Sequence, residues 1–162
     1  LVPEGGANNL GAEGCKEIAQ ELEEEYDYIC LACGTGTTMA GIISAAKPSQ
    51  KILGFPVLKA AEFLKSEILK QVQDDVRSNW ELKANYHFGG YAKYNHELLE
   101  FLRDFKARHQ IELDFVYTGK MMFGIYDLMK KGFFPRGSKV LAIHTGGLQG
   151  NQGFHQQAPV NK

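Results

Sequence analysis

Apolar and polar residues follow two different periods along the chain, and the period changes several times. In residues 11–25 the apolar positions Ile18, Ala19 and Leu22 lie at helical spacing, which predicts an amphipathic helix. Residues 27–33 form a short apolar run of strand-forming residues, which is typical of a strand buried on both faces. Further helices are predicted on the same grounds at 37–47, 59–75, 95–109 and 120–131. Further extended segments are predicted at 51–57, 80–88, 112–117 and 139–143.

This alternation of helices and strands predicts an α/β fold. We expect a three-layer, largely parallel sheet with helices on both faces, formed by residues 1–162 as a single domain. Ligands of such sheets bind beyond the carboxyl ends of the strands. Segments rich in Gly, Thr, Tyr or His follow four of the extended segments, namely GTGTT, HFGGY, VYTGK and HTGG. We therefore expect these four segments to line one crevice.

Composition removes several classes of function. Hydrophobic residues make up 44% of the chain, enough for a packed core, and the net charge of −1 does not favour nucleic acid or an anionic membrane. No apolar run approaches the ~20 residues that span a bilayer, and we expect no signal peptide. The three cysteines are too few for a disulfide framework and favour a reducing cytoplasm. The chain begins with Leu1 rather than Met, so we expect a piece of a longer protein.

The glycine- and threonine-rich loop Gly34-Thr35-Gly36-Thr37-Thr38 lies between a predicted strand and a predicted helix. Backbone N–H groups at such a helix start attract anions, and glycine permits a tight turn and a close approach by the ligand. A tight turn with a capping threonine is the simpler interpretation. The loop is no Walker motif, because no lysine follows its glycines, and the step to Gly41 is too long for a dinucleotide fingerprint. A methyltransferase-type loop stays open, although the usual preceding acidic residue is absent.

Other chemistry-bearing residues are open to two interpretations each. Cys30 and Cys33 form a C-x-x-C, but strand positions three apart face opposite sides and no second pair exists, so we predict no metal site. His144 at a strand end either touches a ligand or is a hydrogen-bonded core residue. Tyr91 and Tyr117 adjoin glycines in strand-end segments. Each could reach into the crevice, or be a buried phenol with one hydrogen bond.

Five segments together resemble one known family. VPEGGANNLGAEGC, GTGTTMAG, FGGYAKYN, VYTGKMMFGIYDL and HTGGLQG are similar, in order and spacing, to the carboxy-terminal half of the 1-aminocyclopropane-1-carboxylate (ACC) deaminase / D-cysteine desulfhydrase family. These are pyridoxal-phosphate enzymes of the tryptophan synthase β fold. The resemblance implies the larger, cofactor-binding domain without its amino-terminal part. It also implies pyridoxal 5'-phosphate as cofactor, a small amino-acid substrate and a homodimer.

The resemblance assigns the cofactor contacts by position. The loop Gly34 to Thr38, that is Gly34, Thr35, Gly36, Thr37 and Thr38, matches the loop that cradles the cofactor phosphate. Thr145 matches a residue that hydrogen-bonds the pyridine nitrogen in desulfhydrase-like members. Gly5 and Gly6 match a glycine pair on the cofactor side of the pocket.

The resemblance also assigns the catalytic tyrosines. Tyr117 and Tyr91 match tyrosines beside the substrate, which transfer a proton or hold its carboxylate. The deaminases carry a glutamate directly after the tyrosine that matches Tyr117, and this glutamate pairs with the pyridine nitrogen. This chain has Thr118 at that position. A neutral partner makes the ring a weaker electron sink, which favours β-elimination of a good leaving group, as in a desulfhydrase. Phe115 and Gln149 stand where the family usually has proline.

The cofactor-holding lysine of the family is not matched in this chain. In the family it precedes the region resembled here, and Lys120 matches a different position. We therefore expect the isolated chain to be inactive. Two alternatives to a pyridoxal-phosphate lyase or deaminase stay open: a non-catalytic phosphate- or nucleotide-binding α/β module, and a methyltransferase-like domain.

Overall fold

The computed structural model describes residues 3–59, 61–72 and 79–151, and within them it contains five α-helices and four β-strands. In chain order these are α1 (Asn9–Gln20), β1 (Tyr28–Cys33), α2 (Thr37–Ala45), β2 (Lys51–Pro56), α3 (Ala61–Gln71), β3 (Trp80–Leu82), α4 (His96–His109), α5 (Thr118–Lys130) and β4 (Val140–Ala142). Short 3-10 helices lie at Glu4–Gly6, Ala84–Tyr86 and Leu148–Asn151. In the residues described, no helix is both long and apolar enough to cross a bilayer.

The four strands form one parallel sheet in the order β3-β2-β1-β4. Strand β1 lies between two partners, with Ile29 opposite Ile52 on β2 and opposite Leu141 on β4. The predicted α/β class, with a parallel sheet and helices on both faces, is confirmed.

The two faces of β1 belong to two separate cores. Ile29, Leu31 and Cys33 pack with buried side chains of α1, α2 and α3. Cys30 points to the opposite face, where it packs with Phe55 and buried side chains of α5. Because successive strand residues alternate between faces, a strand covered by helices on both sides must be apolar throughout. The burial predicted for residues 27–33 is confirmed for Ile29, Cys30, Leu31 and Cys33, whereas Tyr28 and Ala32 are half-buried and Asp27 is exposed.

Two predicted extended segments are wrong over much of their length. The alternation over 80–88 predicts one long strand with a more exposed face. However, β3 ends at Leu82, a 3-10 helix follows at Ala84–Tyr86, and Phe88 has a positive φ of 53°. Residues 112–117 form no strand, since they turn into the start of α5.

Several predicted helix bounds are also displaced. The first helix ends at Gln20 rather than at residue 25, and α2 ends at Ala45. The helix α5 begins two residues earlier than predicted, at Thr118. The end of the helix predicted at 59–75 falls outside the described residues.

The connections place a reversal of strand order between β1 and β4. The chain runs from β1 through α2, β2 and α3 to β3, so the sheet grows on one side, and it returns through α4 and α5 to β4 on the other side of β1. At such a reversal the two following loops separate to opposite faces and leave a crevice. The loop after β1 is Gly34-Thr35-Gly36, and the loop after β4 contains Thr145.

Two helical glycines allow a matched test of the packing between α1 and α2. A Cβ added at Gly41 would lie 2.4 Å from the carbonyl oxygen of Ala12 and 2.5 Å from Cβ of Cys15, whereas one added at Gly14 meets nothing within 4 Å. We expect Gly41→Ala to lower the free energy of unfolding by about 1–3 kcal/mol, because the backbone of α1 must move. Gly14→Ala should raise it by about 0.5–1 kcal/mol through helix propensity. Urea unfolding of both variants measures the two signs, and a stabilised Gly41→Ala protein would contradict the packing.

Candidate active site

A cavity of about 870 Å³ lies at the reversal of strand order, beyond the carboxyl end of β1. Residues from all four predicted strand-end segments line it: Gly34, Thr35 and Thr38 from GTGTT, Tyr91 from HFGGY, Tyr117 from VYTGK and Thr145 from HTGG. The lining also includes Leu58, Phe63 and Glu67, which the sequence did not indicate. The structure thus brings the four segments into one crevice, although only GTGTT and HTGG directly follow strands, namely β1 and β4.

The loop after β1 divides into residues that face the cavity and residues beneath it. Gly34, Thr35 and Thr38 line the cavity, whereas Thr37 is only 4% exposed and its Oγ1 lies 3.1 Å from Oγ1 of Thr35. Gly36 is buried with a φ of 84°. A Cβ on Gly36 would lie 2.6 Å from Cγ1 of Ile68 on α3. The positive φ fits the tight turn expected at this glycine, and its missing side chain also makes room for α3.

The first turn of α2 lacks the side-chain cap that α1 and α4 have. The side-chain oxygen of Asn8 accepts the N–H of Gly11 at 2.8 Å at the start of α1, and that of Asn95 accepts the N–H of Leu98 at 2.9 Å on α4. At α2 the N-cap residue is Gly36, and no side chain caps the helix. Helix-start N–H groups without a protein acceptor are suited to an anion such as a phosphate.

Close glycine contacts shape the wall of the cavity near this helix start. Gly5 has a φ of 61°, and a Cβ there would lie 2.7 Å from Cγ2 of Thr35. A Cβ on Gly34 would lie 3.3 Å from the Tyr117 ring. Gly5 lines the cavity, whereas Gly6 is not among its described lining residues. Side chains at Gly5 and Gly34 would fill space beside Thr35 and Tyr117, so the two positions favour glycine.

Tyr91 and Tyr117 meet edge to face at the cavity, with ring centroids 6.1 Å apart. Tyr91 is 56% exposed, while Tyr117 is half-buried. Burial, and next the hydrogen bond with Tyr91, raises the pKa of Tyr117 to about 12. The Tyr117 phenol therefore stays protonated at neutral pH and can donate a proton or a hydrogen bond.

A buried carboxylate that the sequence analysis missed holds Tyr117 in place. Asp114 is 1% exposed and accepts the backbone N–H groups of Val116, Tyr117 and Thr118 at 2.9, 2.6 and 2.8 Å. It also accepts the Thr118 hydroxyl at 2.6 Å. An Asp shortly before a helix start is a capping signal. This signal was missed because residues 112–117 are predicted as an extended segment.

Thr118 is fully buried, so its hydroxyl does not reach the cavity. The residue that replaces the deaminase glutamate therefore serves the start of α5. The sequence predicts two threonines, Thr118 and Thr145, near a pyridine ring. Of these two, Thr145 is among the described residues that line the cavity.

Among the described residues that line the cavity there is no lysine. Lys120 is 1% exposed, and its Nζ donates to the carbonyl oxygens of His87 at 2.9 Å and Gly90 at 2.7 Å. Burial lowers the pKa of Lys120 to about 8. A lowered pKa is typical of nucleophilic lysines, but this amine is directed at two backbone carbonyls.

His144 lies outside the described lining of the cavity. Its Nδ1 accepts the N–H of Gly146 at 3.0 Å, so Nε2 carries the proton and donates to the carbonyl oxygen of Glu112 at 3.0 Å. His144 is therefore hydrogen-bonded, but it is exposed rather than a core residue, so that part of the prediction is wrong. Cys30 and Cys33 are buried on opposite faces of the sheet, as expected, and burial raises the pKa of each thiol to about 12.

Phe115 and Gln149, which replace the usual prolines, are accommodated differently. The Phe115 ring packs edge to face on Tyr94 with centroids 5.3 Å apart, and its backbone N–H donates to Oδ1 of Asn151 at 3.4 Å. Proline has no N–H to donate, so the hydrogen bond from Phe115 to Asn151 requires that a residue other than proline stands at position 115. Gln149 is exposed.

The structure is that of an α/β protein whose parallel sheet has a cavity at its reversal of strand order, bordered by an uncapped helix start and a tyrosine pair. The sequence profile described as "Pyridoxal-phosphate dependent enzyme" matches residues 1–146. The chain belongs to this family.

The relatives come from the group that the sequence resembles. A "Putative 1-aminocyclopropane-1-carboxylate deaminase" of Pyrococcus horikoshii is 34% identical over 168 residues, which cover 96% of this chain and 50% of that protein. The "Bifunctional D-cysteine desulfhydrase/1-aminocyclopropane-1-carboxylate deaminase, mitochondrial" of Arabidopsis thaliana is 33% identical and is matched over 93% of this chain and 42% of its own length.

A solved structure agrees with this assignment. The crystal structure of an ACC deaminase homologue aligns with a TM-score of 0.78 and 33% identity, and covers 96% of this chain and 51% of that chain. The chain therefore spans about half the length of the relatives it matches.

Proposed function

We propose that this chain is the cofactor-phosphate and tyrosine-bearing part of a pyridoxal-phosphate-dependent lyase or deaminase that acts on a small amino acid. One observation carries the proposal: the uncapped start of α2 and the hydroxyls of Thr35 and Thr38 border the same cavity as Tyr91 and Tyr117. An anion site thus lies beside a pair of proton donors.

The residues present fit the cofactor. The N–H groups at the start of α2, with the hydroxyls of Thr35 and Thr38, would hold its phosphate. Thr145 would hydrogen-bond the ring nitrogen, and the lining glycines Gly5 and Gly34 leave room for Thr35 and Tyr117 at the wall. Bound pyridoxal phosphate supplies the electron sink for the amino acid's α-carbon.

Tyr117 and Tyr91 would handle the proton and the substrate carboxylate. The raised pKa of Tyr117 keeps its phenol protonated at neutral pH, so it can donate to a carboxylate or to a leaving group. The more exposed Tyr91 can exchange that proton with solvent.

Within this class we favour β-elimination from a D-cysteine-like substrate over ACC deamination. A neutral hydroxyl of Thr145 at the ring nitrogen gives a weaker electron sink than a carboxylate, because it does not stabilise a positive charge there. In the overall reaction the substrate would lose its Cα proton and its β-sulfur, which leave together as hydrogen sulfide, and water would convert the three-carbon remainder to pyruvate and ammonia.

The lysine that binds the cofactor is proposed to come from a segment other than the described residues. Those that line the cavity include no lysine, and Lys120 is occupied by two carbonyls. On this proposal the isolated chain binds the cofactor weakly and does not turn over.

The same lack of a lysine in the described lining favours one alternative, a non-catalytic phosphate- or nucleotide-binding module. It would use the start of α2 for the phosphate and would not need the tyrosines. Cofactor binding therefore has to be measured directly.

The test is a titration of the purified protein with pyridoxal phosphate, in which binding is followed by visible absorbance. The longest native gene product is then treated with borohydride, and bleaching of its absorbance band is measured. Thr38→Val should raise the Kd for the cofactor about 10- to 100-fold, since it removes one hydrogen bond to a charged group. Ser44→Ala on the same helix, where the hydroxyl donates to the Ala40 carbonyl oxygen, should leave the Kd unchanged. Binding of a nucleotide with no affinity for pyridoxal phosphate would support the alternative module instead.

A further inference from the structure

The loop that presents Tyr91 has an unusual backbone. Phe88 and Ala92 have positive φ values of 53° and 52°, and Gly89 and Gly90 have values of 97° and 121°. Non-glycine residues seldom adopt this region, so the surrounding structure must hold them there. Tyr91 sits between Gly90 and Ala92 and is itself exposed, so its position depends on how this backbone is held.

One side chain from a distant helix contacts two carbonyls of this loop. Lys120 on α5 donates from Nζ to the carbonyl oxygens of His87 and Gly90, at 2.9 and 2.7 Å. The same two carbonyls accept the turn bonds inside the loop, from the N–H groups of Gly90 and Lys93. A buried ammonium bonded to both turn acceptors ties the turn to α5.

The first turn of α5 also carries the other tyrosine. Tyr117 is the N-cap residue of α5, and Lys120 follows three residues later, so both are fixed by the same helix. Asp114 holds that helix start through three backbone N–H groups. The position of Tyr91 relative to Tyr117 is therefore set through Lys120.

We propose that Lys120 is a positioning residue: its ammonium clamps the loop of residues 87–93 to α5 and so holds Tyr91 edge to face against Tyr117. The clamp is a property of the folded chain. Its effect on the reaction rests on the proposed function.

The surroundings of Lys120 agree with this role. Lys120 is nearly fully buried, and its pKa is lowered by burial while Asp114 opposes the shift. Burying an ammonium is costly unless its donors are used. Here the two loop carbonyls use two of its three donors, which offsets part of the cost of this interior position.

The test is fluorine NMR of the full chain labelled with 3-fluorotyrosine. Tyr91→Leu removes its own signal and should shift the Tyr117 signal, because the neighbouring ring and hydroxyl are lost. In Lys120→Met the Tyr117 signal should move, and adding Tyr91→Leu should then produce little further shift. Lys130→Met, a lysine on the exposed end of α5, should behave as the unmodified chain.

Lys120→Arg keeps the charge and several donors, so it should restore part of the dependence on Tyr91. This conservative variant separates a clamp from a general loss of packing, and it remains informative if Lys120→Met folds poorly. If the Tyr117 signal responds to Tyr91→Leu equally with and without Lys120, the clamp is wrong.

A second measurement concerns the reaction of the assembled cofactor-loaded enzyme. Displacement of one catalytic group by about 1 Å can cost up to 100-fold in rate, so Lys120→Met should lower kcat about 10- to 100-fold while changing KM much less. An assembled enzyme without lyase or deaminase activity would overturn the proposed function alone, since the NMR result does not depend on it. An unchanged kcat in Lys120→Met would overturn the positioning role.

Discussion

Replacing Tyr117 by phenylalanine is expected to lower kcat of the assembled, cofactor-loaded enzyme about 100- to 10,000-fold, which is the usual range for a lost acid or base. Burial and the hydrogen bond with Tyr91 raise the pKa of Tyr117 to about 12, so its proton is held at neutral pH and offered to the cavity. Phenylalanine keeps the ring that packs against Tyr91 and loses only the hydroxyl. Steady-state kinetics on a cysteine-type substrate and on ACC measure the loss.

Tyr126 on the same helix provides the matched control. Its hydroxyl lies 2.9 Å from Nε2 of His109, and Tyr126 is not among the described residues that line the cavity. Tyr126→Phe should leave kcat within about twofold, since an exposed neutral hydrogen bond contributes little. A Tyr117→Phe enzyme with near-normal kcat on both substrates would remove Tyr117 from the proton-transfer step.

The layered fold could be predicted from the sequence because its signals are local. Residues 27–33 are apolar at every position except Asp27, which is what a strand covered on both faces requires, and Ile29 and Cys30 indeed enter different cores. The position of the crevice followed from parallel strands, because their carboxyl ends share one edge. The glycine loop after β1 and the tyrosines could then be assigned to that edge.

The parts that failed depend on contacts between distant residues. The 80–88 segment alternates as a strand does, yet Tyr86 leaves the sheet and its hydroxyl donates to Asp127 on α5 at 2.7 Å. Lys120 meets loop carbonyls about thirty residues away in sequence. No local pattern shows such a bond, so its role is visible only in the structure.

The role of Thr118 shows the same limit within the site. Its position in the chain predicts a place beside the pyridine ring, because the family's deaminases have a glutamate there. The hydroxyl of Thr118 is instead buried, where it donates a hydrogen bond to Asp114 and does not reach the cavity. A residue match gives the position along the chain, whereas the direction of a side chain depends on the partner that is near it.

Asp114→Ala is expected to lower the free energy of unfolding by about 2–4 kcal/mol, because a helix cap is lost and buried donors are left without an acceptor. The carboxylate accepts N–H groups of Val116, Tyr117 and Thr118 and the Thr118 hydroxyl, all in a site that is 1% exposed. The shift in the urea midpoint at an unchanged slope measures the loss. Tyr117 should become mobile at the same time, since its backbone loses its anchor.

Two variants separate the cap from the charge. Asp114→Asn keeps one acceptor oxygen of nearly the same shape, so it should cost less than Asp114→Ala. Asp104→Ala removes an exposed carboxylate on α4 whose partner, Arg108, lies 3.8 Å away, and should change the free energy by less than about 0.5 kcal/mol. If Asp114→Ala unfolds at the same urea concentration as Asp104→Ala, the buried carboxylate does not stabilise the start of α5. The position of Tyr117 would then depend on its ring contact with Tyr91, and therefore more strongly on the positioning of Tyr91 by Lys120.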